Sequence, residues 1–245
     1  MRLTGPAHRA SAGVSPWPEF GKKLSDRHIP DARDLADASR ATGVRDERLL
    51  AAIAQLPRAV FVPVELSASA YLDQPVRISH RQVTTQPSLV AKMIEALALR
   101  GDEKVLEVGT GYGYQTALLA MLAQEVWSIE LWQDMIDAAS ESLAKVGVTN
   151  ARLLVGDGTR GLRDQAPFDA IIVAAAFPSV PPPLAEQLAQ AGRLVQPIGP
   201  GGLEDVRLFE KEGEWLVARR SITGAHFVRL YGQHGYGLAH APAEP

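Results

Sequence analysis

Residues 105–114 read Val-Leu-Glu-Val-Gly-Thr-Gly-Tyr-Gly-Tyr. The apolar side chains at the start of this run predict a buried strand from Lys104, and Glu107 lies near the strand's carboxyl end. The glycines recur at every second position, as Gly109, Gly111 and Gly113. Glycine adopts positive φ and lets a ligand approach the backbone closely. Because a helix predicted over residues 114–123 points its amide dipoles at this turn, we expect the turn to bind a ligand.

The glycine spacing separates two classes of ligand. The dinucleotide fingerprint G-x-G-x-x-G requires its third glycine at the position of Tyr114. Glu107 also repels a pyrophosphate and attracts a cationic ligand that carries an amine and a sulfonium. The pattern therefore resembles that of S-adenosylmethionine-dependent methyltransferases, and a nicotinamide cofactor or a turn without any ligand are the alternatives.

Strands and helices alternate between residues 104 and 199. The predicted strands cover residues 104–108, 125–130, 152–155, 168–175 and 193–198, and the predicted helices between them cover 114–123, 132–146 and 181–191. This order predicts an α/β fold with a doubly wound, Rossmann-like and mostly parallel sheet. The segments that follow are rich in β-forming residues and have no helix between them, which predicts an antiparallel C-terminal edge. These segments cover residues 206–211, 214–222 and 227–231.

The predicted organisation is one methyltransferase domain over residues 31–234. Its parts are an N-terminal helical cap (31–100), a cofactor-binding core (101–200) and a C-terminal β-rich edge (201–234). Helices in the cap are predicted over 31–42, 45–55 and 88–99. We expect residues 1–30 to form a loose extension and residues 235–245 a flexible tail, because both are rich in Gly, Pro and small residues without periodicity.

The composition narrows the functional class. The 245 residues are 46% hydrophobic, enough for a sizeable core, and the net charge of -3 gives no basic footprint for nucleic acid. The absence of cysteine excludes disulfides and a cysteine nucleophile, and the six histidines are too scattered to predict a metal site. We see no apolar run long enough for a membrane span and no signal-peptide core, so a cytoplasmic location is expected.

Polar residues follow the carboxyl ends of successive predicted strands, where ligands bind in open α/β sheets. Glu130 ends the second strand, and its two carboxylate oxygens suit the two hydroxyls of a ribose. Asp157 and Gly158 follow the third strand, where the acid can accept a hydrogen bond from an adenine amino group. Small side chains over residues 174–176 suit the floor of a reaction chamber.

The glycine turn continues into Gln115-Thr-Ala-Leu-Leu-Ala120, and other stretches of the chain are equally distinctive. They are Gly156-Asp-Gly158, the run from Ala166 to Pro178, Gln86-Pro87 with Val90-Ala91, and the segment from Asp46 to Phe61. Together, over roughly residues 32–232, the sequence resembles the protein-L-isoaspartate (D-aspartate) O-methyltransferases, a family of class I S-adenosylmethionine-dependent methyltransferases.

The resemblance implies a repair activity. Members of the family methylate the carboxylate of L-isoaspartyl residues in damaged proteins or peptides, and the ester then cyclises to a succinimide. The donor is S-adenosyl-L-methionine and the product is S-adenosyl-L-homocysteine. The partner is an isoaspartyl protein or peptide rather than nucleic acid or a membrane, and we expect a monomer. The implied donor-binding residues are Glu107, Gly109, Thr110, Gly111, Gly113, Glu130, Leu131, Asp157 and Gly158.

The acceptor half departs from the family pattern. The family segment Gly-x-Gly-Gln-Thr-Ile-Ser appears here as Ser79-His-Arg-Gln-Val-Thr-Thr85, so both glycines are replaced and a threonine takes the place of the serine. Arg229 also stands where a proline is usual. We assign Thr85 and Gln82 as catalytic, with Thr85 holding a carboxylate oxygen or else only capping the next helix. The implied acceptor-binding residues are Thr84, His80, Arg81, Ala175, His226 and Val228.

These departures leave two alternatives for the activity. In the first, the acceptor is a different small molecule or a specialised peptide, with His80 as a general base and Arg81 or Arg229 binding an anionic group. In the second, the chain is a non-catalytic adenosylmethionine-binding module. Thr85 retains the hydroxyl that a carboxylate acceptor requires, and Gln82 is kept, so methylation of isoaspartate is the primary hypothesis.

Overall fold

The computed structural model describes residues 30–241, so the predicted extension over 1–30 lies outside the described residues except for its last position. The strands are β1 (Val76–Arg77), β2 (Val83–Thr84), β3 (Lys104–Val108), β4 (Glu125–Glu130), β5 (Ala151–Val155), β6 (Phe168–Val173), β7 (Leu188–Ile198), β8 (Glu204–Glu212) and β9 (Trp215–Ala225). The helices are α1 (Ala32–Ala41), α2 (Glu47–Gln55), α3 (Pro87–Leu97), α4 (Tyr114–Leu122), α5 (Gln133–Lys145) and α6 (Pro182–Gln187).

Seven strands form one sheet in the order β5-β4-β3-β6-β7-β8-β9. The strands from β5 to β7 are parallel, and β8 and β9 run antiparallel at one edge. The predicted α/β fold with an antiparallel C-terminal edge is therefore confirmed. From β3 the chain passes to β4 on one side and later to β6 on the other, which places a ligand-binding crevice at the carboxyl end of β3.

The helical cap packs on one side of this sheet. Helix α1 contacts α2 and α3, and α2 contacts α4. Leu49, Ile53 and Leu97 are completely or almost completely buried and belong to the larger apolar core, which also includes Val105 of β3. Burial of this apolar stripe fixes the cap to the core, because each such side chain contributes roughly 1.5–3 kcal/mol. Within residues 30–241, none of the helices has the length and apolar character that a membrane span needs.

The helix predicted over residues 181–191 is wrong at its carboxyl end. Helix α6 ends at Gln187 and β7 begins at the next residue, so Gly192 lies inside a strand. A Cβ on this glycine would lie 2.8 Å from the carbonyl oxygen of Ala189. The pairing of β6 with β7 also shifts register between Phe168 and Ala170. Glycine is therefore required here by a bulge and does not terminate a helix.

The predicted edge strand over residues 227–231 is also corrected. The backbone amide of Phe227 donates to a carboxylate oxygen of Glu204 at 3.0 Å, and the chain then turns back toward the carboxyl end of β6. There Arg229 forms an isolated parallel bridge with Ala176. This return brings the C-terminal segment to the ligand-binding edge of the sheet, where a third edge strand would not have reached.

Candidate active site

A cleft opens at the carboxyl ends of β3, β4 and β6. Its wall includes the following residues assigned from the sequence: Gln82, Thr84, Thr85, Gly109, Thr110, Gly111, Glu130, Leu131, Gly158, Ala175 and Val228. The remaining assigned residues lie outside the wall: His80, Arg81, Glu107, Gly113, Asp157 and His226.

The glycine turn has the backbone geometry that its sequence predicts. Gly109, Gly111 and Gly113 have φ values of 96°, 55° and 94°, which only glycine adopts without strain. Gly113 is the N-cap residue of α4, and it has no side chain that could bond the free amides of the first helical turn. The turn therefore presents its backbone and the N-terminus of α4 to the cleft. These groups suit a methyl donor whose amino-acid portion carries a carboxylate and an amine.

Glu107 lies beneath the turn rather than in the wall of the cleft. Its side chain is 0% exposed and accepts hydrogen bonds from Gln115 Nε2 at 2.9 Å, Thr116 Oγ1 at 2.5 Å and Ser128 Oγ at 2.6 Å. Burial raises the pKa of Glu107 to about 7, although these three hydrogen bonds oppose the rise. Thr110 Oγ1 joins the network through Ser128 at 2.6 Å. The carboxyl thus fixes the turn to α4 and β4, and its contact with the donor stays a prediction.

Glu130 is the carboxylate that reaches the cleft. Its Oε2 accepts the backbone amide of Gly111 at 2.9 Å, and its Oε1 accepts that of Leu131 at 2.6 Å. Burial raises the pKa of Glu130, and the backbone amides oppose this effect. Each oxygen keeps a further lone pair, so the group can accept two more hydrogen bonds. This pair of acceptor sites matches the two hydroxyls of a ribose.

Asp157 does not line the wall, because its carboxylate is turned into its own loop. Oδ1 accepts the amide and the hydroxyl of Thr159 at 2.9 and 2.6 Å, and Oδ2 accepts the amide of Gln233 at 2.7 Å. The neighbouring Gly158 does line the wall, and a Cβ there would lie 2.5 Å from Val108 Cγ1. The loop therefore approaches β3 closely, and the predicted contact of Asp157 with an adenine amino group stays a prediction.

The donor side of the cleft fits an adenosyl group. Beside the glycine turn and the Glu130 carboxylate, Ile129, Trp132 and Met135 supply an apolar wall for a purine ring. Three features match the three portions of S-adenosylmethionine: the Glu130 carboxylate suits the ribose hydroxyls, the helix N-terminus suits the amino-acid portion, and the apolar wall suits the base.

Thr85 and Gln82 lie on the opposite side of the same cleft. The Thr85 hydroxyl makes no hydrogen bond within residues 30–241, although its backbone carbonyl accepts one from Arg58. It does not cap α3, because the N-cap position is Gln86 and the amide of Ser88 donates to Asp73 Oδ1 at 2.9 Å. Its hydroxyl is therefore available to a bound acceptor.

Two of the assigned acceptor residues are held away from the cleft. His80 is 5% exposed, stacks on Trp132 with a centroid distance of 4.6 Å and forms a 2.8 Å contact between Nε2 and Asp134 Oδ1. His226 bonds the carbonyl oxygen of Gly202 through Nδ1. Both imidazoles therefore contact protein groups outside the wall, and the role of His80 as a general base stays a prediction.

The segment around His80 has a left-handed backbone at two successive residues. His80 and Arg81 have φ values of 53° and 56°, a left-handed conformation that is uncommon for these residue types. Contacts with Trp132 and Asp134 hold this conformation in place, since they fix the His80 ring.

Several wall residues were not assigned from the sequence. Trp132 follows Glu130 so closely that the strand-end argument should have included it, and Tyr112 lies inside the glycine turn itself. Tyr231 enters the wall because the C-terminal segment returns to β6, and the same return brings in Arg229, which the alternative acceptor hypothesis already named. Arg58 donates hydrogen bonds to Thr84 and Thr85. The sequence gives no signal for this role, because an isolated arginine after a helix is usually exposed.

The sequence model of the family described as protein-L-isoaspartate(D-aspartate) O-methyltransferase (PCMT) matches residues 31–235. A protein-L-isoaspartate O-methyltransferase of Methanoculleus marisnigri is 48% identical over 198 residues, covering 80% of this chain and 89% of the relative. The enzyme of the same name from Geobacter metallireducens is 45% identical over 195 residues, covering 80% of this chain and 90% of the relative.

Solved structures give the same result for the fold. A protein-L-isoaspartate O-methyltransferase is similar with a TM-score of 0.70 and 26% identity, over 80% of this chain and 65% of that chain. A Plasmodium falciparum protein, described as a putative protein-L-isoaspartate O-methyltransferase in complex with S-adenosyl-L-homocysteine, has a TM-score of 0.71. It is 20% identical, over 82% of this chain and 98% of that chain, and it supports the fold alone.

Proposed function

The chain belongs to the protein-L-isoaspartate(D-aspartate) O-methyltransferase family, and we propose how its residues carry out that family's reaction. The chain is an S-adenosylmethionine-dependent methyltransferase that methylates the carboxylate of L-isoaspartyl residues in damaged proteins and peptides. One observation carries the proposal: Glu130 and Thr85 both line a single cleft.

On the donor side, Glu130 accepts the two ribose hydroxyls. The turn from Gly109 to Gly111, together with the N-terminus of α4, receives the amino-acid portion, and Trp132 packs against the base. Asp157 positions the loop that carries Gly158, in addition to its predicted contact with the adenine. When bound, the donor supplies a methyl group on a positively charged sulfur.

On the acceptor side, the residues of the chain have only to hold a carboxylate in place. A carboxylate has an ordinary pKa of about 4, so it is ionised near neutral pH and needs no general base. Thr85 donates its hydroxyl to one carboxylate oxygen. Gln82, whose Nε2 donates to the carbonyl oxygen of His80 at 3.0 Å, lines the same wall. Ala175 and Val228 form an apolar floor, which excludes water and strengthens these contacts. Holding the carboxylate oxygen in line with the methyl group in a dry pocket then accounts for much of the rate acceleration.

The test is transfer of labelled methyl groups to an isoaspartyl peptide, with the matching aspartyl peptide as the control. We expect base-labile label in the isoaspartyl peptide and none above background in the aspartyl peptide, because the product is a carboxyl methyl ester. Equal labelling of both peptides, or of neither, would contradict the proposed acceptor. Calorimetry with S-adenosylmethionine separates a failure of transfer from a failure to bind the donor.

The wider assignment follows from the same reading. We propose a monomer that acts in the cytoplasm on protein or peptide substrates and requires neither nucleic acid nor a membrane. The net charge of -3 supports the last point, because the chain has no overall positive charge to attract nucleic acid or an anionic membrane. We also propose that residues 31–234 fold as one domain. Light scattering of the purified chain tests the monomer, since a dimer would double the mass.

A further inference from the structure

Among residues 30–241, Arg58 is the largest of the fully buried side chains. It follows α2, in the short 3₁₀ turn Arg58–Phe61, and its side chain is 0% exposed. Burial lowers its pKa to about 10, so the guanidinium stays charged at neutral pH. No carboxylate within residues 30–241 forms an ion pair with it. A buried cation of this kind is costly to desolvate, and its hydrogen bonds must offset that cost.

The guanidinium fork connects two separate segments of the chain. Nη1 donates to the carbonyl oxygens of Ala70 at 3.0 Å and Leu72 at 3.2 Å. Nη2 donates to the carbonyl oxygen of Gln74 at 3.1 Å. It also reaches the segment over residues 79–85, where it lies 2.8 Å from Thr84 Oγ1 and 3.3 Å from the carbonyl oxygen of Thr85. The two protons on Nη2 thus serve three acceptors, and the bond to Thr85 is the longest.

The same guanidinium also contacts the donor side. Its central carbon lies 5.5 Å from the centroid of the Tyr114 ring, a cation–π distance. Tyr114 is the first residue of α4 and lines the cleft next to the glycine turn. Phe61 packs edge-on against the same ring, with centroids 5.8 Å apart. Arg58 is therefore in contact with a residue on each side of the cleft.

We propose that Arg58 is a positioning residue, which holds the Thr85 hydroxyl at a fixed place relative to the donor pocket. The inference rests on the proposed function, in which Thr85 binds the acceptor carboxylate. The planar fork suits this task, because it fixes several carbonyl oxygens at once, whereas a lysine ammonium acts as a compact point charge. The sequence assigned Thr84 to acceptor binding. In this arrangement its hydroxyl accepts a hydrogen bond from Arg58 and so helps to position the guanidinium.

The test uses Arg58→Lys in the full chain, with Arg193→Lys as the matched control. Arg193 also donates to backbone carbonyls, those of Leu97 and Ala98, but it lies outside the cleft. Donor binding is measured by calorimetry, and kcat for an isoaspartyl peptide is expressed per donor-binding site. We expect Arg58→Lys to bind the donor within about threefold of the wild-type affinity and to lose about 10- to 100-fold in kcat. We expect Arg193→Lys to match the wild type.

The outcomes separate the inference from the proposed function. An inactive wild type overturns both, whereas an active wild type with an equally active Arg58→Lys overturns only the inference. An equal loss in Arg193→Lys also overturns it, because the effect would then be general. If Arg58→Lys fails to fold, Thr84→Val decides, since it removes one acceptor of the fork. A fall of about 3- to 10-fold in kcat with an unchanged KM for the peptide supports the inference, and an unchanged kcat overturns it.

Discussion

At the scale of single residues, the proposed function requires Glu130 to contribute strongly to donor binding. Its carboxylate is held by two backbone amides and keeps lone pairs for two hydroxyls. We predict that Glu130→Gln weakens the binding of S-adenosylmethionine by about 10- to 100-fold, because hydrogen bonds to a charged group contribute about 1.5–3 kcal/mol. Calorimetric titration measures this directly. Wild-type affinity in the variant would remove Glu130 from the donor site.

Thr85 should affect the rate and leave the donor affinity unchanged. We predict that Thr85→Val lowers kcat/KM for an isoaspartyl peptide by about 10- to 100-fold, the effect of removing a donor to a charged oxygen. Thr85→Ser is the matched control, because it keeps the hydroxyl and removes only the methyl group. If Thr85→Val and Thr85→Ser turn over equally well, the hydroxyl has no role in holding the carboxylate.

At the scale of secondary-structure elements, the Glu107 network joins β3, β4 and α4 and makes stability depend on pH. Burial raises the pKa of this carboxyl from 4.5 to about 7, so the native state retains a proton that the unfolded chain releases. The contribution of Glu107 to stability is therefore complete below about pH 4.5 and is lost as the pH rises toward 7. Above that value it changes no further.

We predict that Glu107→Gln removes this pH dependence, because glutamine does not titrate. Between about pH 5 and about pH 8, the free energy of unfolding of the variant should improve relative to the wild type by roughly 2–3 kcal/mol. Urea unfolding of both proteins across this range gives the difference at each pH. A difference that stays constant with pH would show that Glu107 is ionised throughout.

The order of elements in the core was predictable because local signals and burial agree there. The strand over 125–130 coincides with β4, and the helix over 114–123 ends within a residue of α4. The errors occur where long-range pairing overrides local preference. Residues 188–191 favour a helix by composition, yet pairing with β6 makes them the start of β7. Residues 227–231 have β propensity, but a bond to Glu204 redirects the chain.

At the scale of the whole molecule, the donor side of the cleft has local sequence signals, whereas the acceptor side depends on tertiary contacts. Glycines and acids at strand ends form a local pattern, and the parallel sheet brings them together automatically. The acceptor side depends on chain segments far apart in sequence: the segment that contains Thr85, the return of Arg229 to Ala176, and the buried Arg58. Contacts of this kind have no local signature, so only the tertiary structure reveals them.

Asp157 ties the C-terminal segment to the core across the molecule, through the amides of Thr159 and Gln233. We predict that Asp157→Ala lowers the free energy of unfolding by about 1–3 kcal/mol, since several hydrogen bonds to a charged group are lost together. Proteolysis after Tyr231 should accelerate in parallel. Asp164→Ala, which removes an exposed acid from a neighbouring turn, is the control and should stay within about 0.5 kcal/mol of the wild type. If Asp157→Ala instead keeps its stability and loses donor affinity, the carboxylate serves mainly the adenine, and the C-terminal segment is held by other contacts.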